Sequence, residues 1–227
     1  MTRPEAVLLR VTGVSRRFER AGEGVTAIED ASFEIGADSR IGLVGPSGSG
    51  KSTLLHVMAG LLGPTAGSVS WPALDGVGAG RPGAVAVVFQ APSLAPWLDA
   101  IENVMVPLLL QGLDETAAHR KADAALADLS LAEIADKLPE ELSGGEAQRV
   151  AIARAIAQNA KLILADEPTG QLDQATAREV MSALVDAADR NHAALIVATH
   201  DPTVAAALPV VWRMNHGRLD VAQEAVV

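Results

Sequence analysis

The feature that most restricts the fold of this chain is a glycine-rich segment at residues 45–53, which reads Gly-Pro-Ser-Gly-Ser-Gly-Lys-Ser-Thr. It contains the full pattern G-x-x-x-x-G-K-[ST], follows the apolar run 41–44 and precedes the helical stretch 54–58. A strand before and a helix after are the context in which this pattern binds phosphate. The alternative is a flexible linker, which the flanking elements disfavour. The segment therefore predicts a nucleoside triphosphate site between a strand and a helix.

Each residue of this phosphate loop has an expected role. Lys51 is expected to reach the β- and γ-phosphates, and the Ser52 hydroxyl is expected to hold Mg²⁺. Glycines let the backbone wrap a polyphosphate with its N–H groups inward, and the helix that follows adds its positive N-terminal end. The remaining residues predicted to contact the phosphates are Gly45, Pro46, Ser47, Gly48, Ser49, Gly50 and Thr53.

The composition excludes several classes of protein. The 227 residues suit one domain, or one large and one small lobe. No uninterrupted apolar run approaches the roughly 20 residues that cross a bilayer, and the first residues offer no secretory signal, so we expect a soluble chain. The chain contains no cysteine, which excludes a disulfide framework and fits a cytosolic protein. A net charge of −10 argues against a nucleic-acid partner.

Strand patterns occur on both sides of the phosphate loop. Residues 7–11 are apolar, residues 31–35 alternate with period two as a half-buried antiparallel strand does, and residues 19–24 are typical of a turn between them. The runs 84–89, 162–165 and 195–198 are almost entirely apolar, which is typical of parallel strands covered on both faces. The alternation of such strands with helices predicts an α/β fold.

Strand patterns are absent between residues 94 and 156. Asp114 is a candidate cap for a helix, and that helix would carry apolar residues at helical spacing. Those residues are Ala118, Ala122, Ala125, Leu126 and Leu129. We therefore predict a helical lobe at 94–156, and a core with an N-terminal antiparallel β lobe at 1–93 and 157–227. The stretch 76–83 is the most typical of a loop.

Two acids end the predicted strand at 162–165. Asp166 and Glu167 would lie at the carboxyl end of a parallel strand, where open α/β sheets place their ligands. There Asp166 is expected to bind Mg²⁺ through water, and Glu167 to polarise the attacking water. The alternative is a strand that ends in a solvated acidic turn. The phosphate loop upstream in the sequence disfavours this alternative.

The segment 142–149 reads Leu-Ser-Gly-Gly-Glu-Ala-Gln-Arg, and it resembles the LSGGQ signature of ATP-binding-cassette ATPases. Ser143, Gly144 and Gly145 precede a long helix, so they can offer a hydroxyl, backbone N–H groups and a helix N-terminus to an anion. The alternative is an ordinary helix cap. The resemblance covers nearly the whole chain and implies that this anion is the γ-phosphate of ATP bound by a second subunit.

Four further positions match this family. The resemblance implies that Gln90 contacts Mg²⁺ and the attacking water, that His200 contacts the γ-phosphate, and that Asp173 belongs to a loop crossing the dimer interface. Asp173 is also a plausible helix cap. Phe18 stands where the family usually has a tyrosine that stacks on adenine, and a phenylalanine ring keeps that face. The alternative for Phe18 is a core position.

The resemblance extends to a subgroup. Residues 164–173 read Leu-Ala-Asp-Glu-Pro-Thr-Gly-Gln-Leu-Asp, which resembles lipoprotein-releasing, macrolide-export and cell-division ATPases, as does 103–108. Residues 95–98, Ala-Pro-Trp-Leu, are instead similar to importer ATPases for small solutes. Both resemblances imply an ATPase subunit that powers separate permease subunits from the cytoplasmic face of the membrane. A homodimer of cassettes is expected. A soluble cassette acting on ribosomes or DNA, and a kinase with a phosphate loop, are the rival classes.

One apolar group is a candidate for permease contact. Leu94, Trp97 and Leu98 are predicted to lie near a groove that receives a helix of the permease. The alternative is that these three side chains belong to the core of the helical lobe.

Overall fold

The computed structural model describes residues 7–20, 23–74 and 82–221. Its strands are β1 (Val7–Arg20), β2 (Glu23–Gly36), β3 (Arg40–Val44), β4 (Ala66–Ser70), β5 (Val85–Val88), β6 (Leu162–Asp166), β7 (Ala194–Thr199), β8 (Val210–Asn215) and β9 (Arg218–Asp220). Its α-helices are α1 (Lys51–Met58), α2 (Ala100–Leu110), α3 (Glu115–Ala127), α4 (Gly144–Ala157), α5 (Gln174–Asn191) and α6 (Pro202–Ala205).

The smaller sheet is antiparallel and has the order β2-β1-β4. The strands predicted at 7–11 and 31–35 are present. The observed strands β1 and β2 are longer than predicted, because they continue together as a long antiparallel ribbon. Register shifts after Val11 and Val14 break the period-two pattern, which conceals the extension in the sequence. Glu19 pairs with Gly24 at the end of the ribbon, and residues 21 and 22 of the predicted turn lie outside the described ranges.

The larger sheet has the order β5-β6-β7-β3-β8-β9, with all neighbours parallel except β8 and β9. The three predicted parallel strands are confirmed. Side chains of β6 alternate between two cores: Ile163 and Ala165 face the core shared with α2–α5, whereas Leu162 and Leu164 face the core shared with α1 and the small sheet. Every residue of β6 is buried, which explains its unbroken apolar run.

Helices α2, α3 and α4 fill the region predicted to be helical. Asp114 caps α3 by accepting a hydrogen bond from the N–H of Ala117 at 2.9 Å, and the predicted apolar face of α3 is buried. The helices share one continuous core with a face of the large sheet, so the division into lobes at 94–156 stays a prediction. In the described part of the chain, no helix has both the length and the apolar character that crossing a bilayer requires. The α/β fold class is confirmed.

Most of the stretch 76–83, predicted to be a loop, lies outside the described residues. Strand β4 was not predicted. It is an edge strand with the sequence Ala-Gly-Ser-Val-Ser, and four of its five residues are exposed. Of its five side chains only Val69 packs partly against a core, so the usual strand pattern is missing.

Candidate active site

A cavity of about 490 Å³ opens at the carboxyl ends of the parallel strands. The phosphate loop follows β3, Gln90 follows β5, Glu167 follows β6 and His200 follows β7, so one edge of the sheet gathers residues from four separate segments. The predicted site residues that line the cavity are Ser47, Gly48, Gly50, Lys51, Ser52, Thr53, Gln90, Glu167 and His200.

The phosphate loop has little freedom to change shape. Gly50 has a φ of 108°, and a Cβ placed on it would lie 2.1 Å from the carbonyl oxygen of Ala27. A Cβ on Gly45 would lie 2.1 Å from the carbonyl oxygen of Met214. Only glycine allows this loop to pack against β2 and β8 at such distances.

Lys51 is the first residue of α1 and is 6% exposed. Its Nζ donates hydrogen bonds to the carbonyl oxygens of Gly45 at 2.8 Å and Pro46 at 3.2 Å, and lies 3.8 Å from a carboxylate oxygen of Glu167. The loop's own carbonyls thus hold the ammonium group inside the loop. A positive charge in this position suits a phosphate anion bound to the loop N–H groups.

Asp166 ends β6 and is 4% exposed, and its Oδ1 is buried without a hydrogen-bond partner among the described residues. Burial raises the pKa of Asp166 above its ordinary value, a hydrogen bond from the Ser52 hydroxyl opposes that shift, and the nearby charge of Glu167 adds to it. An unpartnered carboxylate oxygen beside a hydroxyl fits the oxygen ligands that Mg²⁺ prefers.

The described residues contain no group of three or more His, Cys, Asp or Glu side chains arranged to hold a metal ion. Mg²⁺ bound with a nucleotide typically takes only one or two protein ligands, and the phosphates and water supply the rest. Ser52, Gln90 and Asp166 stay the residues predicted to supply ligands to such a site.

The carboxylate of Glu167 contacts two basic side chains, those of Lys51 and His200. Its Oε2 lies 3.0 Å from Nδ1 of His200, whereas Lys51 contacts its Oε1. Its backbone is in the left-handed region, with a φ of 47°, and its N–H donates to the carbonyl oxygen of Ala198 at 2.8 Å. Such a conformation is uncommon for a glutamate, and it turns the carboxylate into the cavity.

The signature segment, residues 142–149, does not line this cavity. Ser143 caps α4: its Oγ accepts from the N–H of Glu146 at 3.2 Å, and its own N–H donates to the Glu146 carboxylate at 2.8 Å. None of Ser143, Gly144 and Gly145 lines the cavity of the phosphate loop. A Cβ placed on Gly145 would lie 3.3 Å from the Leu172 side chain, so the segment is adjacent to the loop that carries Asp173.

Asp173 also caps a helix, and it does not line the cavity. Its carboxylate accepts hydrogen bonds from the N–H groups of Ala175 at 2.9 Å and Thr176 at 3.1 Å, and from the Thr176 hydroxyl at 2.6 Å. These bonds lower the pKa of Asp173. The cap that the sequence allowed is therefore present, and a contact with ATP across an interface stays a prediction.

Phe18 lies just outside the cavity. It pairs across β1 and β2 with Val25, which lines the cavity, and its ring is 38% exposed with the Arg16 guanidinium 4.7 Å from the ring centroid. Stacking on adenine stays a prediction. Sequence reasoning missed Val25, Thr26 and Ala27 as lining residues, because only the folding of β2 over the phosphate loop brings them there.

The side chain of Trp97 is 76% exposed, so the alternative that it belongs to the core is wrong. Leu94 is half-buried and packs against the core of the helices. Trp97 therefore projects from the segment between Gln90 and α2.

Comparisons with known proteins agree on one family. The family model described as "ABC transporter" matches residues 28–170. The lipoprotein-releasing system ATP-binding protein LolD of Chromohalobacter salexigens is 37% identical, over 94% of this chain and 93% of that protein. The probable export ATP-binding/permease protein MacB of Pseudomonas entomophila is 37% identical, over 93% of this chain and 33% of that protein. A solved dimer of the ATP-binding cassette MJ0796, in a post-hydrolysis state with ADP and phosphate, has a TM-score of 0.86 and 31% identity, and covers 95% of this chain and 99% of its own.

Proposed function

This chain belongs to the ABC transporter family, in the subgroup of LolD and MacB, and we propose that two copies close around ATP to drive separate permease subunits in the membrane. The chain is an ATPase subunit of a transporter. The observation that carries the proposal is that Lys51 and Glu167 meet in one cavity while Ser143 lies outside it. One copy alone therefore presents half of a complete site.

The residues of the cavity have different roles in ATP hydrolysis. The phosphate loop and Lys51 bind the phosphates, and Gln90 orients the attacking water. Mg²⁺, held by Ser52 and Asp166, would neutralise charge on the phosphate oxygens. Glu167 accepts a proton from the water, and His200 keeps the carboxylate aimed at it across their 3.0 Å contact. The products are ADP and phosphate.

The second copy supplies the opposite wall of the site. Ser143, the N–H groups of Gly144 and Gly145 and the N-terminus of α4 together suit an anion, and the loop carrying Asp173 lies beside them. Closure of two copies would place this segment against the γ-phosphate on the partner's phosphate loop. The solved dimer of the cassette MJ0796 supports closure of two copies.

The substitution Ser143→Asp tests phosphate binding by this residue independently of its role as a helix cap. Asp caps helices as well as Ser does, and the pair Asp99 and Glu102 already forms the same kind of capping box at α2. We expect the free energy of unfolding to change by less than about 0.5 kcal/mol. The added negative charge repels the γ-phosphate, so ATP-driven dimerisation, measured by light scattering, should be lost and turnover should fall at least ~10-fold.

Ser143→Asn is the matched control, because Asn is an equally good cap without charge. If the Asp variant dimerises and hydrolyses ATP as the Asn variant does, the segment is only a helix cap and the two-copy site is refuted.

The relatives named LolD match this chain over nearly their full length, which supports extraction of lipoproteins or lipids from a membrane as the work performed. The match to part of MacB supports export as the broader class. We therefore propose a location at the cytoplasmic face of the membrane, held there by the permease. An importer ATPase for small solutes is the second candidate, favoured by residues 95–98.

Trp97 is the proposed contact with the permease. Trp97 is 76% exposed on the segment that follows Gln90, so it offers apolar area to a partner. Trp97→Ala should reduce co-purification with the permease from solubilised membranes at least ~10-fold, with the ATPase activity of the isolated chain unchanged. The control is Leu110→Ala, which removes a side chain exposed to 70% at the other end of α2. Equal recovery of permease with both variants would contradict this contact.

A further inference from the structure

Helix α4 holds the backbone on both sides of Gln90. The amide of Gln148 donates a hydrogen bond to the carbonyl oxygen of Phe89 at 3.3 Å. The guanidinium of Arg154 donates to the carbonyl oxygens of Pro92 at 2.9 Å and Ser93 at 3.0 Å. Two side chains of one helix therefore hold the segment 89–93, which contains a residue lining the active-site cavity.

Among the described residues, no acidic side chain forms an ion pair with Arg154. Burial lowers the pKa of its guanidinium, and within residues 7–20, 23–74 and 82–221 it forms no salt bridge. Its lost hydration is instead offset by two hydrogen bonds to successive carbonyls, which the planar fork of an arginine suits. A lysine has a single ammonium group and would not reproduce this fork.

The segment held by Arg154 has few other restraints. Pro92 has no N–H group, Ser93 is in the left-handed region with a φ of 51°, and the Ser93 hydroxyl bonds to the nearby carbonyl of Ala91. Gln90, Ala91 and Ser93 are exposed. The contacts from α4 therefore account for much of what fixes this backbone relative to the helices.

The same helix begins at the signature segment. Ser143 caps α4, and Arg154 lies on α4 about 16 Å further along the helix axis. A helix of this length moves as one body, so its N-terminus and the segment it holds move together.

We propose that Arg154 is a positioning residue that fixes Gln90 relative to α4, so that closure of the second copy on Ser143 also sets Gln90 in the cavity. The inference rests on the proposed two-copy mechanism. Trp97 lies four residues beyond Ser93, so a permease contact there acts on the same held segment.

The test compares Arg154→Met, which keeps an unbranched apolar stem and removes both donors, with Arg154→Lys. For Arg154→Met we expect the kcat of ATP hydrolysis to fall about 10- to 100-fold, because misplacement of an active-site group by about 1 Å has that effect. The KM and the Kd for a fluorescent ATP analogue should stay within about twofold, since Lys51 and the phosphate loop are untouched. Arg154→Lys should recover part of the lost turnover.

Backbone order parameters from nitrogen-15 relaxation provide a readout that does not depend on turnover. In Arg154→Met, the order parameters of the N–H groups at 89–91, 93 and 94 should fall below about 0.6, whereas those of the phosphate loop should be unchanged. The control is Arg190→Met, which removes the guanidinium that ties α5 to Asp128 at 2.9 Å and should leave kcat and the order parameters at 89–94 unaltered.

The inference is overturned if Arg154→Met slows turnover no more than Arg190→Met, or if ATP affinity falls as much as kcat. If Arg154→Met does not fold, unchanged order parameters at 89–94 in Arg154→Lys overturn it equally. Failure of the two-copy mechanism is separable, because it would appear as absent ATP-driven dimers in the otherwise unaltered chain while the order parameters still report on the contacts of Arg154.

Discussion

Glu167→Gln is expected to lower ATP turnover by about 100- to 10,000-fold, which is the usual contribution of a general base. The carboxylate lies in the cavity, 3.8 Å from the Lys51 ammonium and 3.0 Å from the His200 ring, and an amide there cannot accept a proton from water. ATP affinity should be nearly unchanged, because the phosphate loop remains intact. With hydrolysis blocked, the ATP-bound pair should accumulate, and light scattering with ATP would detect it as a dimer.

Glu179→Gln is the matched control, since it makes the same chemical change at an exposed position of α5. It should hydrolyse ATP at the rate of the unaltered chain. A Glu167→Gln variant that stays monomeric at saturating ATP and high protein concentration would count against closure of two copies. One that keeps more than about a tenth of the normal turnover would show that another group accepts the proton.

The second large effect is expected for Gly50→Ala. The added Cβ would lie 2.1 Å from the carbonyl oxygen of Ala27, and a φ of 108° is unfavourable for any residue with a Cβ. Strain and overpacking together should lower the free energy of unfolding by about 2 to 5 kcal/mol, measured by urea denaturation. Nucleotide affinity should fall at least ~10-fold as well, because relief of the clash must displace the loop whose N–H groups face the phosphates.

Substitutions at two other glycines distinguish the steric clash with Ala27 from the backbone strain. A Cβ on Gly63 meets nothing within 4 Å and its φ is not positive, so Gly63→Ala should be neutral within about 0.5 kcal/mol. Gly48 also has open space, but its φ of 76° means that Gly48→Ala should show the backbone strain alone. If Gly50→Ala is no more destabilising than Gly48→Ala, the contact with Ala27 does not restrict the loop.

The elements that the sequence predicted well are those whose local pattern matches their final environment. The parallel strands are buried on both faces, so their residues are apolar without interruption, and Asp114 caps α3 as its position before an apolar helical pattern predicts. Strand β4 and the far half of the β1–β2 ribbon were missed because they are exposed and bury little apolar area. A hydrophobic pattern cannot indicate a strand that has no buried face.

The sequence alone identified the family, and it predicted the phosphate loop, the acids Asp166 and Glu167 and the signature segment, because each is a short run whose chemistry depends on neighbouring residues in the chain. The tertiary structure decided which of these share a cavity. Sheet order brings Gln90, Glu167 and His200 to the phosphate loop, and leaves Ser143 and Asp173 as helix caps outside it. The physical reason is that parallel strands collect the residues at their carboxyl ends from distant parts of the chain, and this gathering depends on packing that no local pattern encodes.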